Sequence, residues 1–256
     1  MIRLRTDLYS ESLAMGTNLV VLMPQAASGI GMRGEIAGGG DGVPVLYLLH
    51  GLSDDCTVWE RRTAIERYAT EHGIAVVMPE VRRSFYVDEA VGEQYWTWIS
   101  EELPSILART VRISTAREDT FVAGLSMGGF GAFKLALNHP GRFAAAASLS
   151  GALIPQELPL DEAFGSLGQR VWAGRDLTGT EDDLLGLIGR HPAAELPALF
   201  LDCGTEDELI TSNERFAEAA ESRGVDVRAR FRPGAHTWDF WDRGIQDVLD
   251  WLPVRR

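Results

Sequence analysis

Short apolar runs alternate with longer amphipathic segments from about residue 43 to the end of the chain. The apolar runs are nearly continuous, as is typical of strands covered on both faces, and they span 43–51, 74–79, 120–126, 143–151 and 198–204. Apolar residues at helical spacing lie between them, at 58–72, about 93–109, 127–139, 212–223 and 239–252. The alternation predicts an α/β fold with a mostly parallel sheet and helices on both faces.

The chain before residue 43 has a different pattern. Residues 8–25 suggest two extended segments, so we expect antiparallel strands at the start of the sheet. The run "AGGGDG" at 37–42 lacks the G-x-x-x-x-G-K-[ST] pattern of a phosphate-binding loop and opens no helix. It therefore predicts a hairpin turn that leads into the next strand.

Residues 155–195 are the least regular stretch of the sequence. No Ser/Gly-rich linker flanks them, which argues against a second domain. We therefore predict a single α/β domain over residues 1–256. Within it, residues 155–195 are expected to form a small, cap-like insertion of short helices over the top of the sheet and the site.

Charge and composition narrow the class of partner. With 45% hydrophobic and 24% charged residues, the chain has the composition of an ordinary globular protein. Its formal charge of −13 argues against a nucleic-acid partner, which requires a basic footprint, and weakly against an anionic membrane surface. The first residues lack the apolar core of a signal peptide, so we expect a cytoplasmic protein. The expected partner is a small neutral molecule, and assembly into a homo-oligomer stays open.

The stretch "FVAGLSMGGFGAF" at 121–133 carries the strongest chemical signal. Gly124, Ser126 and Gly128 fit the pattern G-x-S-x-G, with a predicted strand before it and a predicted helix after it. This context is typical of a sharp turn that exposes a nucleophilic serine at the edge of a sheet. The following helix directs the positive end of its dipole at the same place.

A serine hydroxyl needs a base, and the base needs an acid to orient it. Hydrolases with this turn carry the three residues in the order serine, acid, histidine. His191 precedes the fifth predicted strand, whereas His236 lies in a Gly/Pro-marked loop before the last helix, and so it is the predicted base. Carboxylates cluster where the fifth predicted strand ends, and we choose Asp207. The alternatives are Asp202, Glu206 and Glu208.

Acyl transfer also needs two backbone N–H groups that stabilise an oxyanion. One is expected from Met127, the residue after the nucleophile, and the other from Leu52, in the loop "HGL" after the first long apolar run. The side chain of His50 is expected to brace that loop rather than to take part in the chemistry.

These motifs resemble the esterase D branch of the α/β-hydrolases, which includes S-formylglutathione hydrolases, tributyrin-type acetyl esterases, feruloyl esterases and mycolyltransferases. The resemblance covers about residues 7–253 and rests on "LYLLHGLSDDCTVW", "FVAGLSMGGFGAF", "CGTEDELITSN" and "PGAHTWDFW". It is greatest to the small tributyrin-type acetyl esterases. It implies the α/β-hydrolase fold, with Ser126 as nucleophile, Asp207 as acid, His236 as base, and oxyanion donors at Leu52 and Met127. One departure is the run 53–56, "SDDC", where S-formylglutathione hydrolases commonly carry Cys-Thr-Asp.

The resulting hypothesis is a serine carboxylesterase acting on small, short-chain acyl esters. Trp96, Trp238 and Tyr86 are candidate lining residues of its substrate pocket, because such pockets are mostly apolar and aromatic. The alternatives are a thioesterase of the S-formylglutathione hydrolase type and an acyltransferase. A non-catalytic binding protein of the same fold is disfavoured because every required residue type is present.

Neither a metal nor an organic cofactor is expected. Cys56 and Cys203 lack the C-x-x-C or Cys/His spacing of a redox or zinc site, and we expect two reduced thiols with one of them buried in a strand.

Overall fold

The computed structural model describes residues 1–30, 32–38 and 42–255. The strands of these residues are β1 (Ile2–Ser10), β2 (Met15–Met23), β3 (Ala27–Gly29), β4 (Met32–Gly34), β5 (Val45–Leu49), β6 (Ala75–Pro79), β7 (Thr120–Leu125), β8 (Ala145–Leu149), β9 (Ala198–Gly204) and β10 (Val227–Arg232). The helices are α1 (Val58–Arg62), α2 (Ile65–His72), α3 (Tyr95–Thr97), α4 (Leu103–Thr110), α5 (Met127–Asn138), α6 (Leu160–Phe164), α7 (Leu167–Trp172), α8 (Leu184–Leu187), α9 (Ile210–Ser222) and α10 (Trp238–Trp251).

Eight of the described strands form one sheet, in the order β1-β2-β6-β5-β7-β8-β9-β10, and β3 pairs with β4 alone. The pairs β1–β2 and β2–β6 are antiparallel, and every pair from β6 to β10 is parallel. The predicted antiparallel start and parallel continuation are therefore confirmed. The parallel strands all end at one edge, which we call the carboxyl edge. The glycine-rich turn predicted at 37–42 includes residues 39–41, which lie outside the described residues.

The central strands are buried on both faces, as their apolarity predicts. Every residue of β5, β6, β7 and β8 is buried. Side chains alternate between the two faces of a strand. In β7, Val122 accordingly packs into one core cluster, while Phe121 and Ala123 pack into the other. Helices therefore have to cover both faces, and neither face of these strands is left for solvent.

The predicted helix at 58–72 is wrong in one respect, because the chain forms two helices there, α1 and α2. Thr63 between them is extended, with φ −136° and ψ 173°. Its hydroxyl donates to the carbonyl of Trp59 at 2.6 Å and accepts from the N–H of Ile65 at 3.1 Å. The hydroxyl thus ends one helix and begins the next, as threonine side chains can do by competing with backbone bonds.

The predicted helix at about 93–109 is found as α3, a π-helical turn at Trp98–Glu102, and α4. Pro104 lies in the first turn of α4 and has no N–H to donate to the preceding turn. The carbonyl of Ser100 instead accepts a hydrogen bond from the guanidinium of Arg142. The widened turn is therefore explained by a proline and an external donor.

Glu102 closes the turn between β1 and β2. Its carboxylate accepts from the hydroxyl of Ser10 at 2.7 Å and from the N–H groups of Glu11 at 2.9 Å and Ser12 at 3.0 Å. Burial acts to raise the pKa of Glu102, but the hydrogen bonds from Ser12 and Ser10 outweigh it and hold that pKa below its ordinary value.

Residues 155–195, between β8 and β9, contain the short helices α6, α7 and α8. The loop after β6 holds this segment, because the N–H of Ala90 donates to the carbonyl of Val171 at 2.9 Å and Arg170 pairs with Glu89 at 3.0 Å. Its role as a cap over a bound ester stays a prediction.

A charged side chain of α5 is fully buried beside this segment. The Nζ of Lys134 lies 2.6 Å from the carboxylate of Asp182, donates to the carbonyl of Tyr86 at 3.1 Å and lies 4.1 Å from the ring centre of Trp96. Burial lowers the pKa of Lys134, and Asp182 opposes that shift. The ion pair therefore joins α5 to the insertion.

Candidate active site

Ser126 lies between the last residue of β7 and the first residue of α5, with φ 53° and ψ −119°. This is an uncommon conformation for a residue other than glycine. Backbone atoms crowd the turn: a side chain on Gly124 would collide with the carbonyl of Gly128, and one on Gly128 would lie 2.5 Å from the carbonyl oxygen of Leu49. The glycines are therefore required because backbone segments touch there, and they permit the sharp turn that presents Ser126.

The structure brings Ser126, His236 and Asp207 together from three separate segments. The Nε2 of His236 lies 3.1 Å from the Oγ of Ser126. The Nδ1 of the same ring lies 2.9 Å from Oδ2 and 3.1 Å from Oδ1 of Asp207. The N–H of Leu209 donates to Oδ1 of Asp207 at 2.9 Å and so fixes the carboxylate. The three groups form a hydrogen-bonded series at the carboxyl edge.

Asp207 is placed to stay ionised. Burial acts to raise its pKa, but the hydrogen bond and charge of His236, the N–H of Leu209 and the hydroxyl of Ser150 outweigh burial and lower that pKa. A carboxylate held in this way can orient an imidazole and stabilise its protonated form.

The alternative acids have other surroundings. Asp202 is fully buried and binds the guanidinium groups of Arg230 at 2.8 Å and Arg232 at 2.7 Å, so it ties β9 to β10. Glu206 and Glu208 are exposed. Of the four carboxylates considered from the sequence, Asp207 is the one that the described structure hydrogen-bonds to His236.

The loop 50–52 lies directly against Ser126. A methyl group on Gly51 would be 3.6 Å from the Cβ of Ser126. The carbonyl of Gly51 accepts from the Nδ1 of His50 at 2.8 Å and from the N–H of Asp54 at 3.3 Å. In a trans peptide the next N–H, that of Leu52, points away from this carbonyl. The Leu52 N–H therefore points to the side of the peptide opposite the two groups that donate to Gly51, which are Nδ1 of His50 and the N–H of Asp54.

The ring of His50 braces the loop as the sequence suggests. Its Nε2 accepts from the N–H of Val81 at 3.1 Å while its Nδ1 donates to Gly51, so the ring is neutral with its proton on Nδ1. The hydroxyl of Tyr86 donates to the carbonyl of His50 at 2.9 Å. Met127, the other predicted donor, begins α5, where the first N–H groups have no partner within the helix.

The predicted pocket residues lie in different places. Tyr86 is fully enclosed behind the loop 50–52, so its ring offers no surface to an ester in this structure. Trp96 stacks on His139, 5.5 Å between ring centres, at the far end of α5. The 12 residues of α5 span roughly 18 Å, so Trp96 is not brought to Ser126. Trp238 is partly exposed and packs edge to face on Trp59 at 5.3 Å.

Two further side chains, Trp241 and Ser150, adjoin His236. The ring of Trp241 meets that of His236 at 4.7 Å and 87°, and its Nε1–H donates to the Oγ of Ser150 at 3.1 Å. The sequence signal for Trp241 is its place at the end of the run "PGAHTWDFW", five residues after His236. Ser150 carries no motif, and the one available signal was its place directly after β8 at the carboxyl edge.

Other features of the described residues do not compete with this site. A cavity of about 1000 Å³ lies near Arg3, Gln25 and Thr70, at the edge of the sheet opposite the carboxyl edge. Among all the residues that the structure describes, no three His, Cys, Asp or Glu side chains are grouped as metal ligands. Cys56 and Cys203 are both free and buried. None of the described helices is long and apolar enough to cross a bilayer.

Comparison with known proteins agrees with the geometry. The family model Esterase, described as "Putative esterase", matches residues 37–252. The acetyl esterase of Caldicellulosiruptor saccharolyticus is 27% identical over 260 residues, covering 97% of this chain and 97% of that protein. Two solved Staphylococcus aureus structures, each 31% identical and covering 98% of both chains, are similar: the fluorophosphonate-binding serine hydrolase FphF, with a TM-score of 0.86, and the S-formylglutathione hydrolase FrmB, with a TM-score of 0.82. The resemblance inferred from the sequence is confirmed: the chain belongs to the esterase family, has the α/β-hydrolase fold and is a serine hydrolase.

Proposed function

We propose that the protein is a carboxylesterase that hydrolyses small esters of short acyl chains, with Ser126 as nucleophile, His236 as base and Asp207 as the orienting acid. The observation that carries the proposal is the hydrogen-bonded series from Ser126 Oγ through His236 to the carboxylate of Asp207, at 3.1 Å and 2.9 Å. Membership of the esterase family supports the reaction class.

The first half of the reaction acylates the enzyme. Oγ of Ser126 attacks the ester carbonyl carbon, and its proton passes to Nε2 of His236. The carbonyl oxygen becomes an oxyanion, and the N–H groups of Leu52 and Met127 are its proposed donors. When the intermediate collapses, the bond to the alcohol oxygen breaks, and His236 returns the proton to the leaving alcohol.

The second half releases the acid. A water molecule gives a proton to His236 and attacks the acyl carbon, and the bond to Ser126 breaks as the proton returns to Oγ. Asp207 stays ionised throughout and holds the proton on Nδ1 of His236.

Two observations support a short acyl group. The acetyl esterase relative has nearly the same length, since the match covers 97% of each chain. The insertion also consists of short helices of four to six residues, α6 to α8, rather than a long apolar lid. Trp238 is the predicted pocket residue that keeps exposed surface next to Trp241.

The test is turnover of 4-nitrophenyl acetate, butyrate and octanoate by the wild-type protein and by Ser126→Ala. We expect Ser126→Ala to reduce kcat by a factor on the order of 10⁵ or more, because the variant lacks the hydroxyl that forms the acyl-enzyme. A fluorophosphonate should label the wild type and not the variant. Equal esterase rates for the two proteins would overturn the proposal, and absence of labelling of folded wild-type protein would favour a non-catalytic binding role.

A second candidate keeps the same residues and changes the leaving or accepting group. The similarity to FrmB, a structure described as an S-formylglutathione hydrolase, favours a thioesterase. An acyltransferase differs only in that an alcohol replaces water in the second half. If kcat/KM for an acyl-glutathione exceeded that for oxygen esters by about 100-fold, or about 2.7 kcal/mol in transition-state binding, the thioesterase would become the better assignment. Transfer of the acyl group to added alcohol would mark an acyltransferase.

A further inference from the structure

Two side chains, Trp241 and Ser150, form a bracket beside His236 and Asp207. Trp241, in α10, contacts the imidazole of His236 in a T-shaped arrangement, 4.7 Å between ring centres. The same indole donates its Nε1–H to Ser150 Oγ at 3.1 Å. An indole N–H can only donate, so Ser150 must accept this bond. The hydroxyl proton of Ser150 is therefore left to point at another acceptor.

The Ser150 hydroxyl lowers the pKa of two neighbouring groups, Cys203 and Asp207, and these are the candidate acceptors of its proton. Burial raises the pKa of the Cys203 thiol to about 12, so the sulfur keeps its proton and is a weak acceptor. Asp207 is ionised, and an ionised carboxylate is a much stronger acceptor for a hydroxyl. The Ser150 hydroxyl is among the groups that lower the pKa of Asp207. The hydrogen bonds therefore run from the Trp241 N–H to the Ser150 hydroxyl, and from that hydroxyl to the carboxylate of Asp207.

The backbone holds Ser150 in place for this contact. Ser150 is fully buried and has φ 48°, a left-handed conformation that is uncommon for serine. Its N–H donates to the carbonyl of Asp202 in β9 at 2.8 Å, so the neighbouring strand fixes the strained residue. Strain of this kind persists only where the surrounding structure imposes it, and it concentrates at functional sites.

We propose that Ser150 and Trp241 form a positioning pair for the acid and base: Trp241 packs on His236 and orients the Ser150 hydroxyl, which donates to the carboxylate of Asp207. This inference rests on the proposed function, because it assigns a role at the same site. Neither residue touches substrate. The pair restricts the angle at which Asp207 meets the imidazole, and so it acts on the proton transfer from Ser126.

The test compares Ser150→Ala and Trp241→Phe with matched controls. Ser148→Ala removes a hydroxyl from the same region of β8, where Ser148 Oγ is buried and makes no hydrogen bond to the described residues. Trp172→Phe removes an indole N–H that donates to Asp182 at 2.9 Å, in the insertion. We expect each bracket variant to reduce kcat for an acetate ester about tenfold, in line with loss of a hydrogen bond to a charged group, with KM unchanged within about twofold. The controls should keep the wild-type kcat.

Two further measurements separate positioning from a general loss of structure. The proton between His236 and Asp207 should give a downfield NMR resonance that is shifted in Ser150→Ala but not in Ser148→Ala. The double variant Ser150→Ala/Trp241→Phe should lose little more activity than the worse single variant, because both residues act through the same series of hydrogen bonds. Fluorophosphonate labelling should slow in parallel with kcat.

The variant Ser150→Gly tests whether the loss of activity in Ser150→Ala comes from a strained backbone and not from the missing hydroxyl. Glycine accepts φ 48° without strain, so it removes the hydroxyl and relieves the backbone together. We expect it to be as slow as Ser150→Ala. Recovery of activity in the glycine variant, or kcat of both Ser150 variants equal to that of Ser148→Ala, would overturn the positioning pair. Full activity of Ser126→Ala would instead overturn the proposed function itself, so the two failures are distinguishable.

Discussion

Replacing Asp207 by asparagine tests the orientation of the base with almost no change in shape. The N–H of Leu209 donates to Oδ1 at 2.9 Å, so the new amide should place its oxygen there and its NH₂ group at the position of Oδ2. That position lies 2.9 Å from Nδ1 of His236. An NH₂ group facing a ring N–H is repulsive, so the ring proton should move to Nε2. His236 then cannot accept a proton from Ser126.

The expected loss follows from both the tautomer and the charge. A His with its proton on the wrong nitrogen and no carboxylate behind it loses a factor of about 10⁴ in kcat in the serine protease precedent. This corresponds to about 5.4 kcal/mol of transition-state stabilisation. Since Asp207 is buried and does not face the substrate, KM should change little.

The assay is the steady-state hydrolysis of 4-nitrophenyl acetate at pH 7 to 8, with Glu206→Gln as the matched control. Glu206 is an exposed carboxylate adjacent to Asp207, so its conversion to an amide should leave kcat unchanged. Thermal unfolding should show that both variants are folded. If Asp207→Asn kept more than about a tenth of the wild-type kcat, or if Glu206→Gln lost as much activity, the inference from the Leu209 contact would be refuted.

Three further predictions concern stability. Gly128→Ala should lower the free energy of unfolding by at least about 2 kcal/mol in urea titration, because its methyl group would lie 2.5 Å from a backbone oxygen; an unchanged midpoint would contradict the close approach. Glu102→Gln should cost about 1 kcal/mol near pH 7 after solvent screening, measured by the same titration. Because the folded pKa of Glu102 is depressed, its contribution is present above the unfolded value of about 4.3 and is lost as pH falls through the folded pKa. The two proteins should therefore converge at low pH. Lys134→Met should cost about 3 to 5 kcal/mol in thermal unfolding because it leaves Asp182 without its cation; adding Asp182→Leu should restore most of this, and no recovery would argue against the ion pair as the cause.

The sequence predicted the sheet well because strands that are buried on both faces are apolar at nearly every position. In β7, apolar residues occupy nearly every position, and the strand ends where Ser126 begins the turn. The break between α1 and α2 has no such signal in the pattern of apolar residues. The helical pattern continues through Thr63, and only the hydroxyl contact to Trp59 shows that the helix ends there.

The parts of the candidate site that could be predicted are those that a motif or the order of residues along the chain identifies. Ser126 and His236 follow from the turn motif and the order of the histidines, while Asp207 was chosen over Asp202 for its place in the loop after the strand, a choice that the resemblance strengthened. The structure supplies the physical reason, since Asp202 is already bound to Arg232. Pairwise contacts between distant residues cannot be predicted in this way. Ser150 and Trp241 are 91 positions apart and share no motif.

For Trp96 the sequence suggested a place near the site that the structure does not give it. Its aromatic character fits a pocket, but side-chain type does not tell which end of a helix a residue will meet. It lies over the ring of His139 and the ammonium group of Lys134 instead.

The wide spacing of Ser126, Asp207 and His236 along the chain makes chemical reactivity a measure of folding. His236 and Ser126 are 110 positions apart, and His236 and Asp207 are 29 apart. An unfolded or partly folded chain cannot keep the three in contact, and without that contact the hydroxyl is an ordinary alcohol. The amount of protein that a fluorophosphonate labels in a brief pulse should therefore report the native fraction directly. Folding and unfolding could then be followed in crude mixtures, without purification and without an optical signal from the chain.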